Sequence, residues 1–593
     1  MVIAADQLPH GRGEALSLVR ELFKDASQEH RKRVTGWNRN YRLLRNRMWS
    51  DFRASWLPSP SSSEIFPTVH TLVSYLSSQA PRTYLSPAPD LSVKPDPELL
   101  AGKTRNMQAT LDSWWITAAC QRTLRMGLWD TFSYGCGILK TGYDLSASDG
   151  EGTPTLIRAD PYSILPDPQA SGVDDLRYLI EARDAPVFEV RRRFPHADPY
   201  PAPDASWPVE RRPDPSSIDV VPMANLGATG VTGAFPGTPT QGIPPRFGPP
   251  GRTLYRSEDY TQTVRLIECW IRESDTVTVP VILDGERQDD LTIDVPTWRL
   301  IVVAGEEVIH DDDNPFSHHR LPYVRLPMVE IGEWWSMSLI DHLAPAQIAI
   351  NRLLAALQQN AEITGNPILI DYSQSGTSRT KFQARPGART TVQDPRFKPE
   401  WMNPPDMPSV YYQLIDNYRQ SIDRISGISD VARGQSLRRR EPAQAVDSAQ
   451  EASFTRIGDV LRNVEDSLRE ALVQVASNIG QYFIEPRSIP LVGPDGTSEY
   501  LDLPPKPFYY PVADGDTIED EQVRFDLAIE AGSSLPISHQ AKVAEVLSWF
   551  FAGVVDFQYV LETIKPPGWN AVLERMKAQP APAPEGANPR KDR

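Results

Sequence analysis

One stretch of the sequence has the residue types of a phosphate-binding loop, in which glycine amides cradle phosphates and a lysine reaches them. The segment is YGCGILKTGYD, residues 134–144. A nucleotide loop needs the spacing GxxxxGK[ST], so that the lysine directly follows the last glycine of the cradle. Here Ile138 and Leu139 precede Lys140 and are typical of a β-strand that leaves a glycine turn. The spacing therefore predicts a strand and disfavours a phosphate site.

A second group of residues has ligand types suited to a metal ion. It consists of three aspartates and three nearby histidines: Asp311, Asp312, Asp313, His310, His318 and His319. Carboxylate oxygens and imidazole nitrogens both bind divalent cations, but a solvated acidic turn accounts for the same residues, and we favour it. Three cysteines, at 120, 136 and 269, are too few and too widely spaced for a disulfide framework or a CxxC site. We expect no metal and no cofactor.

Arginines in the second half of the chain have the chemistry to contact DNA phosphates. The segment ISDVARGQSLRRREPAQA, residues 428–445, is predicted to begin as a loop. Its basic residues are Arg433, Arg438, Arg439 and Arg440. Guanidinium groups on a loop pair with phosphates of any base sequence. These four arginines are the candidate DNA-contact residues.

A proline-rich excursion over residues 366–408 is also basic. Between positions 379 and 398 it has six basic residues and one acid, Asp394. The six are Arg379, Lys381, Arg385, Arg389, Arg396 and Lys398. In a chain of net charge −16, this local reversal indicates a docking surface for an acidic protein or DNA, with a solvated basic loop as the alternative. The six are the candidate partner-docking residues.

The composition narrows the class of protein. The chain has 593 residues, 40% hydrophobic and 23% charged, which is enough for more than one folded domain, and its 56 prolines predict many rigid connections. The net charge of −16 argues against a protein that coats DNA, so any DNA contact should be local. The residues after Met1 lack the pattern of a secretory signal, and no run of 18 apolar residues occurs. We therefore expect folding in a cytoplasm, without membrane insertion.

Helical periodicity predicts the elements that position these groups. A first helix is expected over residues 12–56, and its second half interleaves basic and aromatic residues: Arg31, Lys32, Arg33, Trp37, Arg39, Tyr41, Arg42, Arg45, Arg47, Trp49 and Trp56. Because Trp37 and Tyr41 fall on one helical stripe, an amphipathic helix with a solvated basic face is favoured over a nucleic-acid site. Further helices are predicted over residues 67–79 and 97–134.

Strands and a long connection follow. Strands are predicted over residues 156–159, 176–182, 261–273, 276–283 and 298–303, with a turn at Asp284-Gly285. Residues 198–253 are rich in proline, glycine, alanine and serine, which predicts a linker or surface insertion.

Three helices frame the basic segments. The first is predicted over residues 338–364, where Pro345 is a site for a kink and Gly365-Asn366-Pro367 is a stop. The second covers 409–426 and ends at Gly427, and a helix of about forty residues over 442–483 shows the most regular apolar stripe.

This order of parts resembles that of a tailed-bacteriophage portal protein over most of the chain. Four stretches carry the resemblance: the N-terminal aromatic helix region; the glycine turn and strand with DPYSILPDP, residues 134–168; IGEWW followed by a helix containing Gln347 and Asn351; and SGISDVARGQS before the long helix. The run at residues 533–564 also resembles the terminal helical region of a portal.

The resemblance implies an α+β portal fold and a ring, commonly of twelve subunits, at one capsid vertex of the virion. Double-stranded DNA would be pumped in through this ring and later released, without reading of its sequence. The implied parts are a wing of helices and antiparallel strands (1–337), a first stem helix (338–364), a β-containing clip (365–408), a second stem helix (409–427), a tunnel loop (428–441), a further wing segment (442–535), crown helices (536–578) and a flexible tail (579–593).

The implied partners are further copies of the chain, the large terminase subunit, the major capsid and scaffolding proteins, and tail adaptor proteins. The tunnel loop would face DNA, and the clip would dock the motor and then the adaptors. The alternatives are another head-tail component such as an adaptor, and a DNA-processing enzyme. The sequence disfavours an enzyme because it has no Walker loop, HExxH or GxSxG motif.

Overall fold

The structure is a computed structural model. It describes residues 12–49, 57–88, 97–147, 150–194, 207–209, 212, 263–279, 282–283, 286–287, 291–365, 368–373, 392, 394–397, 399–402, 409–427, 443–492, 498–514, 517–530 and 546–564. These residues belong to two compact units. Unit 1 comprises Met1–Val73 and Arg122–Tyr482, and unit 2 comprises Ser74–Gln121 and Phe483–Arg593.

Helices and antiparallel strands alternate along the chain. The helices are α1 (Arg12–Leu44), α2 (Ile65–Leu76), α3 (Pro97–Thr117), α4 (Cys120–Tyr134), α5 (Val187–Arg193), α6 (Leu339–Gly365), α7 (Val410–Ser426), α8 (Ala443–Tyr482) and α9 (Phe557–Ile564). The first eleven strands are β1 (Thr83–Pro87), β2 (Cys136–Asp144), β3 (Thr153–Ala159), β4 (Ile164–Pro166), β5 (Tyr178–Pro186), β6 (Thr263–Val279), β7 (Ile282–Leu283), β8 (Glu286–Arg287), β9 (Leu291–Ala304), β10 (Glu307–Asp313) and β11 (Tyr323–Pro327). The others are β12 (Ile368–Ile370), β13 (Glu400–Met402), β14 (Arg487–Val492), β15 (Ser498–Leu503), β16 (Tyr509–Asp514), β17 (Thr517–Gln522) and β18 (Phe525–Ile529).

Unit 1 is built on a five-stranded sheet in the order β10-β9-β6-β5-β4 and a three-stranded sheet in the order β11-β2-β3. Residues of β6 alternate between two apolar cores: Leu266 and Trp270 enter one, and Ile267 and Cys269 enter the other. This alternation follows from the two-residue period of a strand. Both faces of the large sheet are therefore covered, which explains why β6 reads as apolar on both sides.

Helix α1 contributes to both cores. Its first half places Val19 and Phe23 in the core that contains Ile267, and its second half places Trp37 in the core that contains Trp270. Trp37 packs edge-to-face against Tyr134, Tyr162 and Trp335, with ring centroids 4.8 to 5.7 Å apart. The aromatic stripe is thus a core stripe, which confirms the prediction of an amphipathic helix.

Unit 2 contains β1, α3, strands β14 to β18 and α9. Strand β1 pairs with β18, β14 pairs with β15, and β16 pairs with β17, all antiparallel. Helix α3 is fixed to these strands by Ser113, whose hydroxyl donates to the Pro490 carbonyl at 2.6 Å. Lys103 Nζ likewise donates to the Pro507 carbonyl at 2.8 Å.

Several predicted boundaries are confirmed. The two helices that flank the basic excursion and the forty-residue helix lie within one residue of their predicted limits. Helix α6 is continuous through Pro345. All strand pairs that the structure describes are antiparallel, so the α+β prediction holds.

Two helix predictions were wrong in extent. The first helix ends at Leu44 and not at 56, because Asn46 takes the left-handed conformation (φ 57°) and Arg47 N donates back to the Arg42 carbonyl at 2.8 Å, the pattern of a Schellman cap. The predicted helix 97–134 is two helices. Ala119 breaks it with φ 52°, next to the point where the chain passes from unit 2 to unit 1.

One strand prediction was also wrong. The sequence predicted two strands separated near residues 274 and 275, but β6 is continuous over Thr263–Val279. The polar pair Ser274-Asp275 remains in register opposite Pro296 and Val295 of β9. Pairing with the long neighbouring strand therefore overrides the local polar signal.

Candidate functional site: the helix pair and its anchors

The start of α6 is fixed by a reciprocal cap. Ser338 Oγ donates to Asp341 Oδ2 at 2.7 Å, and the amide of Asp341 donates to Ser338 Oγ at 3.0 Å, as in a capping box. From α1, Asn40 Nδ2 donates to Ser338 Oγ and to Asp341 Oδ1, both at 3.0 Å. Arg39 adds an ion pair to Asp341 at 2.5 Å. The N-terminus of α6 is therefore attached to the helix that spans both cores.

Two buried amides attach the middle of α6 to residues 62–64. Gln347 and Asn351, one turn apart, are 2% and 1% exposed. Asn351 Oδ1 accepts from the amide of Ser62 and Gln347 Oε1 accepts from the amide of Glu64, each at 2.9 Å. Gln347 Nε2 donates to the Ser62 carbonyl at 2.6 Å. The two side chains thus satisfy an extended backbone that has no strand partner among the described residues, which is a reason for amides at these two positions.

Helix α7 packs against α6 and is attached to the same segment. Its Ile415 and Ile422 are buried. Arg419 Nε donates to Glu64 Oε1 at 3.2 Å. The segment before α2 therefore joins both helices of the pair, although its bonded residues are 283 to 289 positions from those of α6 and 355 from that of α7.

The other side of α7 is apolar and exposed. Val410, Leu414 and Ile425 lie within about 60° of one another around the helix and are 53%, 37% and 45% exposed. Apolar side chains grouped on one helix face are typical of a surface that another chain covers.

The excursion between the two helices contains one short strand pair and one of the candidate docking residues within the described part of the chain. Strands β12 and β13 pair antiparallel, Ile368–Ile370 with Glu400–Met402. Arg396 is exposed, and its amide donates to Asp394 Oδ1 at 2.9 Å in a short turn. The other five candidates lie outside the described residues: Arg379, Lys381, Arg385, Arg389 and Lys398.

The candidate DNA-contact arginines also lie outside the described residues: Arg433, Arg438, Arg439 and Arg440. The structure describes the elements on each side. Helix α7 ends at Gly427, which has φ 69° and donates its amide to the Asp423 carbonyl at 3.0 Å, and α8 begins at Ala443.

Helix α8 is attached to the three-stranded sheet by a fully buried glutamine. Gln474 Oε1 accepts from the Thr141 hydroxyl at 2.6 Å, and Gln474 Nε2 donates to the Leu321 carbonyl at 3.1 Å. The helix that follows the arginine segment is therefore held to the three-stranded sheet of unit 1.

Lys140, the lysine of the glycine turn, is a structural group. Glu181 and Glu268 lie directly opposite each other on β5 and β6, and Lys140 Nζ from the other sheet lies 2.5 Å from Oε2 of each. Tyr323 donates its hydroxyl to Glu181 Oε2 at 2.6 Å. Burial alone would raise the pKa of Glu268, but the charge of Lys140 lowers it to about 2. Lys140 therefore joins the two sheets.

The aspartates and histidines of the predicted acidic turn are dispersed. Asp311 is held by Arg299, with Nε–Oδ1 at 2.7 Å. His318 is turned inward, its Nδ1 accepts from the amide of Arg320 at 3.0 Å, and burial together with the Arg320 charge lowers its pKa to about 3. In the described part of the chain, no three His, Cys, Asp or Glu residues group in a way that could hold a metal ion.

Local sequence patterns did not predict two contributors to the architecture. Glu64 and Arg419 are separated by 355 residues, and no local pattern pairs them. Trp207 is 1% exposed and lies in the core beside Phe23, although it belongs to the segment that was interpreted as a linker or surface insertion. A lone tryptophan within a proline-rich stretch was the available signal.

A family model described as phage P22-like portal protein matches residues 66–592, nearly the whole chain. No curated protein matches the sequence. None of the helices that the structure describes combines the length and the hydropathy needed to cross a membrane.

Proposed function

Because this chain belongs to the family of P22-like phage portal proteins, we propose that it forms the ring-shaped channel through which double-stranded DNA enters and leaves the capsid. The single observation that carries the proposal is the family match over residues 66–592. Members of this family are structural, non-enzymatic components of the phage, located in the virion at the portal vertex.

The helix pair supports the part of the proposal that concerns the channel wall. Helices α6 and α7 have 27 and 17 residues, which correspond to lengths of about 40 and 25 Å at 1.5 Å per residue. Both are attached to residues 62–64. Such a braced pair suits the stem of a ring, and we assign residues 338–364 and 409–427 to it.

The exposed apolar face of α7 supports assembly from identical subunits. Val410, Leu414 and Ile425 would remain in water in an isolated chain, at a free-energy cost that a neighbouring copy removes by covering them. We propose a closed ring of twelve subunits, in which this face is buried between adjacent stems.

The charge distribution suits a channel for a polyanion. A ring of chains with net charge −16 each repels DNA over most of its surface, which limits adhesion during translocation. The four arginines at 433 and 438–440 then provide local contact with phosphates, independent of sequence. We propose that residues 428–441 are the tunnel loop.

The basic excursion is the proposed docking site for partners. Residues 365–408 would form the clip, which engages the large terminase subunit during packaging and tail adaptors afterwards. Residues 1–337 and 442–535 would form the wing and 536–578 the crown, in contact with major capsid and scaffolding proteins. Assembly would take place in the host cytoplasm.

The proposed DNA role of the tunnel loop is tested by changing Arg438, Arg439 and Arg440 together to Ala. In a complementation assay, rings should form normally while the amount of packaged DNA falls. A matched control changes three exposed arginines elsewhere, Arg31, Arg105 and Arg122, to Ala. Wild-type packaging by the tunnel-loop variant would reject the role of these arginines in DNA contact.

A further inference from the structure

Arg212 occupies an aromatic and acidic cage in unit 1. Its guanidinium lies over the rings of Tyr134 and Tyr162, 5.4 and 5.6 Å from their centroids. The two rings meet edge-to-face, 5.4 Å apart and at 85°. A guanidinium over two ring faces gains cation–π stabilisation from each, and the gain is larger where water is excluded. Both tyrosines are 3% exposed, whereas the side chains of Arg212 and Asp160 are 30% and 38% exposed, so the aromatic side of the cage is buried and its polar end is in contact with water.

Two carboxylates complete the cage. Arg212 Nη2 donates to Asp160 Oδ1 at 3.0 Å and to Asp130 Oδ1 at 3.5 Å. Asp130 is also bound by Arg158, whose Nη2 donates to Oδ1 at 2.8 Å. Burial raises the pKa of Asp130 to about 6, and the bond from Arg158 opposes this rise. Two guanidinium groups thus face two carboxylates, and the positive charge of Arg212 balances a site that would otherwise hold excess negative charge.

The cage is built by elements that are distant from Arg212 in sequence. Asp130 and Tyr134 are one turn apart on α4. Asp160 accepts from the amide of Tyr162 at 3.2 Å in the turn that precedes β4, and the Tyr162 hydroxyl donates to Asn38 of α1 at 3.0 Å. Each wall therefore has its own support, and the site does not depend on Arg212 for its position.

A second contact lies five residues before Arg212. The indole of Trp207 is buried against Phe23, with ring centroids 5.0 Å apart, and Trp207 Nε1 donates to the Gly305 carbonyl at 2.5 Å. Arg265 Nη1 donates to the Trp207 carbonyl at 3.2 Å. Trp207 and Arg212 thus enter two separate sites on the same unit.

We propose that Asp130, Tyr134, Asp160 and Tyr162 form a binding site for a guanidinium group, occupied within the same chain by Arg212. Together with Trp207, this contact fastens the start of the proline- and glycine-rich segment to unit 1. The site is a property of the single chain and does not depend on ring formation or on DNA.

The contacts define what the site recognises. Arg212 Nε is buried and makes no hydrogen bond within the described part of the chain, so recognition uses the flat faces of the guanidinium and its Nη2 end. Lysine carries the same charge but lacks the planar group that stacks on a ring. A free methylguanidinium ion has all the groups that the site contacts.

Chemical rescue tests the site. Arg212→Ala should lower the thermal midpoint by several degrees, because the buried carboxylate of Asp130 and the partly exposed carboxylate of Asp160 lose a cation. Millimolar methylguanidinium chloride should restore part of the loss, and methylammonium chloride at the same concentration should not. Arg31→Ala, which removes an exposed arginine of α1, is the matched control and should show no rescue. Equal responses of Arg212→Ala and Arg31→Ala to methylguanidinium would overturn the proposal.

Two further measurements keep the test decisive. Arg212→Lys retains the charge and should fold, but its midpoint should stay below that of the wild type; an unchanged midpoint would reject recognition of the planar group. Hydrogen exchange of the Trp207 indole N–H, which donates to the Gly305 carbonyl, should become faster in Arg212→Ala and slow again with methylguanidinium. Unchanged exchange there would reject the fastening role of Arg212.

Discussion

Gln347 Oε1 accepts a hydrogen bond from the backbone amide of Glu64 at 2.9 Å. Through this bond, Glu64 connects the two helices of the proposed stem. Gln347 lies on α6, while the carboxylate of Glu64 binds Arg419 of α7 at 3.2 Å. A residue outside the helix pair is therefore bonded to one helix through its backbone and to the other through its side chain. Displacing residues 62–64 would alter both helices at once.

Replacing Gln347 with Leu should destabilise the protein. The change leaves the amide of Glu64 and the carbonyl of Ser62 without their partner in a buried place, at a cost of about 1 to 3 kcal/mol. The free energy of unfolding in urea measures this cost. Gln358→Leu, at an exposed position of the same helix, is the control and should have little effect. Equal stability of the two variants would show that the Gln347 anchor is unimportant.

Lys140→Met should lower the free energy of unfolding more than the substitution of an exposed lysine does. It leaves Glu181 and Glu268 facing each other without the cation between them, and breaking a buried ion pair on one side costs about 3 to 5 kcal/mol. Urea unfolding measures the free energy of unfolding of each variant, and Lys32→Met, at an exposed position, is the control. Adding Glu181→Gln and Glu268→Gln to Lys140→Met should recover part of the loss. A triple variant less stable than Lys140→Met would contradict the electrostatic explanation.

Acidification should destabilise the fold through His30. Burial lowers the pKa of His30 from 6.5 to about 4. The hydrogen bond to the Pro161 carbonyl acts in the opposite direction and raises the pKa, but by less. Between these two values the unfolded chain binds a proton that the folded chain does not, so stability present above pH 6.5 is lost as the pH falls to 4. The loss is about 3 kcal/mol, from 1.4 kcal/mol for each pKa unit.

His30→Gln removes this titration and keeps a hydrogen-bond donor. Its free energy of unfolding should therefore fall less than that of the wild type between pH 7 and pH 4. The exposed His70→Gln serves as control and should retain the wild-type slope. A slope for His30→Gln equal to that of the wild type would exclude His30 as a source of the acid sensitivity.

Charge reversal in the proposed clip should separate docking from assembly. Arg379, Lys381 and Arg385 changed together to Glu should weaken binding of the purified ring to the terminase motor, because an acidic partner surface would then be repelled. Rings should remain intact. A control set reverses Arg31, Lys32 and Arg105, which are exposed elsewhere. Loss of rings in the clip variant would instead indicate a role at the subunit interface.

The helix pair and the long helix were predictable because local signals agree there. Apolar residues recur at helical spacing in α6, α7 and α8, and Gly365 and Gly427 stand where two of these helices end. Local propensity, periodicity and stop residues point to the same boundaries, which is the situation in which sequence patterns succeed.

The remaining features depend on partners distant in sequence. Lys140 has a structural role because two strands of another sheet place Glu181 and Glu268 beside it. The break at Ala119 has no proline or glycine signal, and the burial of Trp207 depends on Phe23 and Gly305. Packing between residues that are distant in sequence determines these features, and the local pattern of one sequence carries no information about which distant residues meet.

Electron microscopy of the purified protein is the most direct test of the central proposal. The account predicts closed, radially symmetric rings with a central hole, with twelve subunits as the proposed number. Changing Val410, Leu414 and Ile425 to Asp should disperse these rings into folded single chains. A wild-type protein that remains a monodisperse monomer would contradict the proposal that the chain forms a DNA channel.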